Sequence, residues 1–344
     1  MKWFTHIFGI SEKEYQDSPE KIKIKNSYLH TPAHNYQLGN FNNIPLYLLR
    51  KIASQYLKSK EEIFRATPEI VHICCQKYGS ESLITIMNRN PKSLFQVASK
   101  FNCLEFTQPP EKGITDYIFD ETQGPQCALA TAPSTFYRNY LIPISNEKVI
   151  FGQTGDTQIN NLDLTEMLIN NSKNKYWSVD NGMITQANNL QLLNKYITKN
   201  KDLVRDTIKV GLLTDSDLVI QRRTGPQSFI FNQKPFPKIS QVYCSAISCG
   251  MTNISEEFWE PLATTVLESI YEATIWAGFL NYLNTGNNCV FLTFVGGGVF
   301  ANKLSWILSA INRAIGIGKR MRLPLKLHIV HFQKINDEIK KIIE

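Results

Sequence analysis

The chain has 344 residues, 43% of them hydrophobic, with 37 Lys and Arg against 30 Asp and Glu for a formal net charge of +7. That length and apolar content suffice for one large core or two smaller ones, which excludes a chain disordered by composition. The basic residues are spread out rather than gathered into an arginine-rich arm or a zinc-finger pattern, so no nucleic acid partner is expected.

The seven cysteines (Cys74, Cys75, Cys103, Cys127, Cys244, Cys249 and Cys289) form no CxxC pair and lie mostly in apolar surroundings. They read as reduced core residues. The six histidines include no HExxH, and no metal or cofactor is called for. No stretch reaches the ~18 apolar residues of a bilayer-spanning helix. The opening MKWFTHIFGI is too short and interrupted for a secretory signal, so a reducing cytosol is the expected workplace.

In chain order, residues 1 to 43 are polar and broken by Pro19 and Pro32, which predicts an irregular arm. Its basic run, KIKIK at Lys21 to Lys25, reads as a solvated strand edge, with contact to an acidic membrane as the weaker alternative. From Ile44 to Phe101, apolar residues recur at three- and four-residue spacing, predicting a module of three or four short helices. Pro109, Pro110 and Gly113 mark a boundary, giving domains 1–112 and 113–344.

Beyond it come candidate strands YRNYLIP, IKVGLL, DLVIQR, SQVYCSAIS, VFLTFV and LKLHIVHF, with long amphipathic helices over 257–284 and 304–315 among the last three. The alternation implies an α/β domain with a mainly parallel sheet and helices on both faces. Ligands then bind at the carboxyl ends of the strands.

FLTFVGGGVFAN falls at such an end. Gly296, Gly297 and Gly298 allow close backbone approach, and their N–H groups suit a diphosphate; a plain tight crossover is the alternative. Neither the Gly-x-Gly-x-x-Gly nor the P-loop pattern fits, which excludes an ordinary Rossmann dehydrogenase or P-loop NTPase.

Three polar groupings accompany it. QGPQCALATAPSTFYRN ends in Arg138 and Asn139, suited to phosphate and ribose or to loop support. GQTGDTQINNLD concentrates Gln153, Asp156, Gln158, Asn160, Asn161 and Asp163 before a helix, suited to a polyhydroxylated ligand, with helix capping as the other role for Asp163. Asn181 and Gly182 form a turn signal. Glu272 lies on an otherwise apolar helix, so it is either paired there or prepared as an acid or base.

QGP with Cys-Ala, Thr-x-x-Arg-Asn, the GQ loop, the Asn-Gly turn, QVYCSAIS, YEAT and LTFVGGGVFAN, in that order, resemble a divergent macrodomain. The branch is that of effector ADP-ribosylhydrolases injected into host cells by Dot/Icm-type secretion. The resemblance spans about residues 119 to 332. It implies a macrodomain-like mixed sheet with flanking helices behind the N-terminal helical module, and ADP-ribose and an ADP-ribosylated host protein as partners.

It further implies a binding set of Gln123, Gly124, Arg138, Asn139, Gln153, Gln158, Asn160, Asn181, Ser245, Gly296, Gly297, Gly298, Phe300 and Asn302. Gly296 to Gly298 and Phe300 would hold the diphosphate and distal ribose. Asn139 or Asn160 would stand at the family's asparagine position, and Asp163 or Glu272 would activate water. The VNAAN signature is absent, as is the glycohydrolase signature of three glycines followed by Gln-Glu-Glu. The implied reaction is therefore removal of a single ADP-ribose, with arginine linkage favoured, in the host cytosol or at an organelle. Two alternatives share the sequence: an ADP-ribose-binding module without turnover, and a scaffold that captures a host protein through residues 1 to 105.

Overall fold

The computed structural model describes residues 3–59, 66–106, 108–144 and 150–344. Its centre is a seven-stranded sheet. In chain order the strands are β1 (Asn40–Pro45), β2 (Glu69–Cys75), β3 (Leu94–Ala98), β4 (Lys209–Asp217), β5 (Lys238–Cys244), β6 (Cys289–Leu292) and β7 (Lys326–Phe332). Their spatial order is β1-β4-β5-β3-β6-β7-β2. The pairs β5–β3, β3–β6, β6–β7 and β7–β2 are parallel, while β4 runs antiparallel to both β5 and β1. The expected mixed, mainly parallel sheet with flanking helices is present.

Both faces of the sheet are covered, and alternate residues of one strand enter opposite cores. Val242 and Leu292 pack with Trp259, Ile270 and Ile311 on one side. Tyr243 and Phe291 pack with Phe4, Phe95 and Phe136 on the other. The first core is closed by α4 (Glu256–Thr285) and α5 (Leu304–Arg320). α4 ends at Gly286, whose φ of +76° makes the left-handed cap that glycine supplies without strain.

The N-terminal expectations need correction. PEIVHICC and SLFQVA are strands β2 and β3, not helices, and β3 lies in the middle of the sheet. A strand buried on both faces shows no alternation, so LFQVA, with four of its five residues buried, mimics a helical apolar run. Among the described residues, the α-helices there are α1 (Leu46–Ser59) and α2 (Leu83–Arg89). The sheet thus draws strands from both sides of the 112/113 division, which coincides with no break in it.

The expected irregular arm is ordered too. It carries a helix at Trp3–Phe8 and a second at Glu12–Asp17, capped by Ser11 with Glu14 reaching back. It ends in β1. YRNYLIP, expected as a strand, holds a π-helical turn at Tyr137–Leu141.

Candidate active site

Strands β5, β3 and β6 lie side by side and parallel, and the carboxyl ends of β3 and β6 open onto a cleft of about 260 Å³. The loop after β6 forms one wall. There the Tyr271 hydroxyl, reaching up from α4, donates to Thr293 O (2.7 Å) and accepts from Val295 N (3.0 Å). Asn302 closes the loop from behind, its amide donating to Ile247 O at 2.8 Å.

Gly296 has φ +85°, and a Cβ there would lie 2.6 Å from Ala246 Cβ. Folding itself therefore demands glycine at 296. Gly298 differs: its φ is not positive and a Cβ would meet nothing within 4 Å. Chain packing gives no reason for glycine at 298, whereas close approach of a ligand does. Among the described residues, the backbone N–H groups of Gly296, Gly298, Val299 and Phe300 have no hydrogen-bond partner. Such a run of unpaired N–H groups is a concave site for an anion.

The facing wall is the start of α3 (Gln123–Ala130). Gln123 accepts from Ala98 N and donates to Gln96 O, both at 2.8 Å, so its amide pins the helix to the end of β3. Gly124 permits that contact, since a Cβ would sit 2.0 Å from Ala98 O. Just before the helix, Asp120 Oδ1 accepts from Thr122 N (2.9 Å) and Thr122 Oγ1 (2.6 Å). The turn fixes the carboxylate beside the cleft and leaves Oδ2 without a hydrogen bond among the described residues.

Lys100, two residues beyond β3, lines the same cleft and is 4% exposed. Its Nζ donates to Asn181 Oδ1 at 2.7 Å. Burial pulls its pKa down to about 7, against the opposing pull of Glu105 and Asp180. Glu105 also borders the cleft, but its Oε1 pairs with fully buried Arg138 at 2.8 Å. Burial raises the pKa of the Glu105 carboxyl, and Arg138 offsets only part of that rise.

Of the residues singled out from sequence, Gln123, Gly124, Gly296, Gly298 and Phe300 line the cleft, and Asn181 reaches it through Lys100. Gly297 and Asn302 shape the loop from outside the lining. Ser245 is buried just past β5, donating to Ala246 O. The others lie elsewhere. Arg138 stacks 3.8 Å over Tyr243 and binds Glu105. Asn139 donates to Pro110 O, and Gln153 donates to Asn102 O and Arg138 O while accepting from Ile159 N. Gln158 accepts from Asn102, and Asn160 donates to Glu166. The 152–163 loop thus spends these side chains on its own architecture.

The two expected catalysts are placed likewise. Asp163 pairs with Lys209 at 2.7 Å and opens the helix Asp163–Leu168. Glu272 accepts from Arg50 (2.8 Å), Arg313 (2.7 Å) and Trp276 (3.1 Å). Burial alone raises its pKa, but those three donors bring it below the ordinary value. Neither carboxylate lines the cleft. Those that do, Asp120 and Glu105, and the cation Lys100 were missed. Asp120-x-Thr122 just before QGP was the available signal, since that pattern makes a rigid carboxylate turn. Among the described residues no group of three His, Cys, Asp or Glu is placed to hold a metal ion. Among the described residues no helix is long and apolar enough to cross a membrane.

No protein-family model matches the chain. No curated protein matches it either. Among solved structures it is similar to a poly(ADP-ribose) glycohydrolase from Deinococcus radiodurans in complex with ADP-ribose. That likeness has 9% identity and TM-score 0.45, covering 88% of this chain and 91% of the other. It is also similar to a poly(ADP-ribose) glycohydrolase from Thermomonospora curvata bound to the inhibitor ADP-HPD. Here identity is 8% and TM-score 0.44, with 96% and 95% covered. Likenesses this low transfer no activity to the chain.

Proposed function

We propose that the cleft binds an ADP-ribosyl group and that Asp120 directs water onto its anomeric carbon, releasing mono-ADP-ribose from a modified protein. One observation carries this reading: unpaired N–H groups of the glycine loop and a carboxylate with an open oxygen line the same cleft at the strand ends. Diphosphate oxygens take the N–H groups, and the ribose lies toward Asp120. Breaking the glycosidic bond passes through an oxocarbenium-like state, which a nearby carboxylate stabilises while it accepts the water proton. The guanidine leaves with the bonding electron pair, and the proton that Asp120 took from water is passed on to it.

Arginine linkage, a host protein as substrate and action in a host cytosol after secretion belong to the same proposal and rest on the motif resemblance. Their test is incubation with arginine-, serine- and glutamate-linked mono-ADP-ribosylated protein, with released ADP-ribose read by mass. Release from the arginine linkage is expected. Asp120→Asn should lower the rate by roughly 100-fold or more, and Asp163→Asn and Glu272→Gln should spare it in the folded fraction. Full activity of Asp120→Asn refutes the assignment of the base. Binding of ADP-ribose with no release from any linkage makes the chain a reader of the modification.

A further inference from the structure

Lys100 is a buried cation that no carboxylate contacts directly among the described residues, although Glu105 and Asp180 act on it from a distance. Its hydrogen bond to Asn181 supplies no charge, and among the described residues its ammonium forms no ion pair. The acidic groups around it are otherwise placed. Glu105, on the loop that follows Lys100, gives Oε1 to Arg138, and its buried Oε2 has no hydrogen-bond partner among the described residues and does not pair with Lys100. Asp180, at the end of the strand Trp177–Asp180 just before Asn181, is exposed. Asp120, which also lines the cleft, gives Oδ1 to Thr122 and forms no ion pair with Lys100 among the described residues. Burying an ammonium that no anion neutralises costs several kcal/mol. The glycine loop lining the same cleft adds backbone N–H groups that have no acceptor among the described residues, so the cleft offers an anion donors from both Lys100 and the loop.

We infer that Lys100 is the ligand's counter-ion: its ammonium pairs with one phosphate of a diphosphate whose other oxygens accept from the glycine-loop N–H groups, so that the cleft closes on its ligand as a two-sided clamp. The inference rests on the cleft being the ligand site proposed above. It makes Lys100 a specificity-determining residue that rejects uncharged glycosides. It also couples binding to a proton. In the empty cleft burial holds the lysine near neutrality, with a pKa of about 7. A bound anion raises that value, so above neutral pH the ligand draws a proton onto Nζ.

The test is calorimetric titration of the full chain with pyrophosphate, ADP-ribose and adenosine at about pH 8, in two buffers of different ionisation enthalpy. The wild type should bind both anions, take up about one proton on doing so, and ignore adenosine. Lys100→Met should lose about tenfold or more in affinity for both anions, together with the proton uptake. Lys100→Arg should restore affinity without uptake, since a guanidinium stays protonated. A pure packing role would move neither the uptake nor its loss. Equal pyrophosphate affinity in Lys100→Met and wild type overturns the inference, as does failure of the wild type to bind either anion. If pyrophosphate binding depends on Lys100 but ADP-ribose binds no better than pyrophosphate, the counter-ion role stands and the ADP-ribosyl reading falls.

Discussion

Two regions of the molecule bury charge, and they do so in opposite ways. Around Glu272 the charges answer one another: Arg50 bridges Glu272 and Asp206, and Arg313 bridges Glu272 and approaches Glu268, which also binds Lys201 and Arg205. In the cleft, among the described residues, Lys100 has no carboxylate paired to it and the N–H groups of Gly296, Gly298, Val299 and Phe300 have no acceptor. A closed network holds helices together and has nothing left for a ligand. An open one leaves its electrostatic cost standing until something binds.

Glu272→Ala breaks the closed side and carries the largest expected effect. It strands two arginines, each about a third exposed, and should cost about 3 kcal/mol in denaturant unfolding. Because the native carboxyl is held below its ordinary value, its contribution is full above about pH 5 and disappears as pH falls through the lowered pKa. The gap between wild type and Glu272→Gln should therefore narrow below about pH 4.

Lys100→Met sharpens the open side, and its sign is reversed. The unfolded chain keeps the lysine protonated to about pH 10, the folded chain only to about 7. Between those limits the unfolded state binds more protons, so wild-type stability rises with pH relative to Lys100→Met, by up to about 1.4 kcal/mol per pH unit. At pH 7 and below the variant should be the more stable protein. Thermal unfolding across pH checks this; a parallel pair of curves would show that the lysine is not held deprotonated by burial.

The smallest effect belongs to Asp163→Ala. Its side chain is 45% exposed, and an ion pair of that kind contributes about 0–1 kcal/mol. Urea unfolding should shift by no more than that, with ADP-ribose release unchanged.

The same contrast explains what could be read from the sequence. The last hundred residues were legible because strand, helix and strand alternate there: β5, α4, β6, α5 and β7 each overlap the expected segment, though β5 and β6 end earlier and α5 runs on to Arg320. The glycine loop at the end of β6 was legible for the same reason. In the first hundred, β3 is a short run buried on both sides, and periodicity cannot separate it from a turn of buried helix. With that strand misread, Lys100 at its end had no visible link to Gly296, nearly two hundred residues away. Asp163 and Glu272 drew attention as acids in suggestive settings, yet a polar loop can use its side chains on itself, and a carboxylate on an apolar helix can be matched by arginines from α1 and α5. Gln123 shows the converse: it was found by motif and does line the cleft, but both ends of its amide are bound to β3.

Titration of ADP-ribose into wild type and Gly298→Leu tests the central claim most directly, because nothing in the fold requires glycine at 298. The account predicts saturable binding by the wild type, a loss of about tenfold or more in the variant, and matching melting temperatures. Equal affinity in the two proteins, or no binding by the wild type, would contradict it.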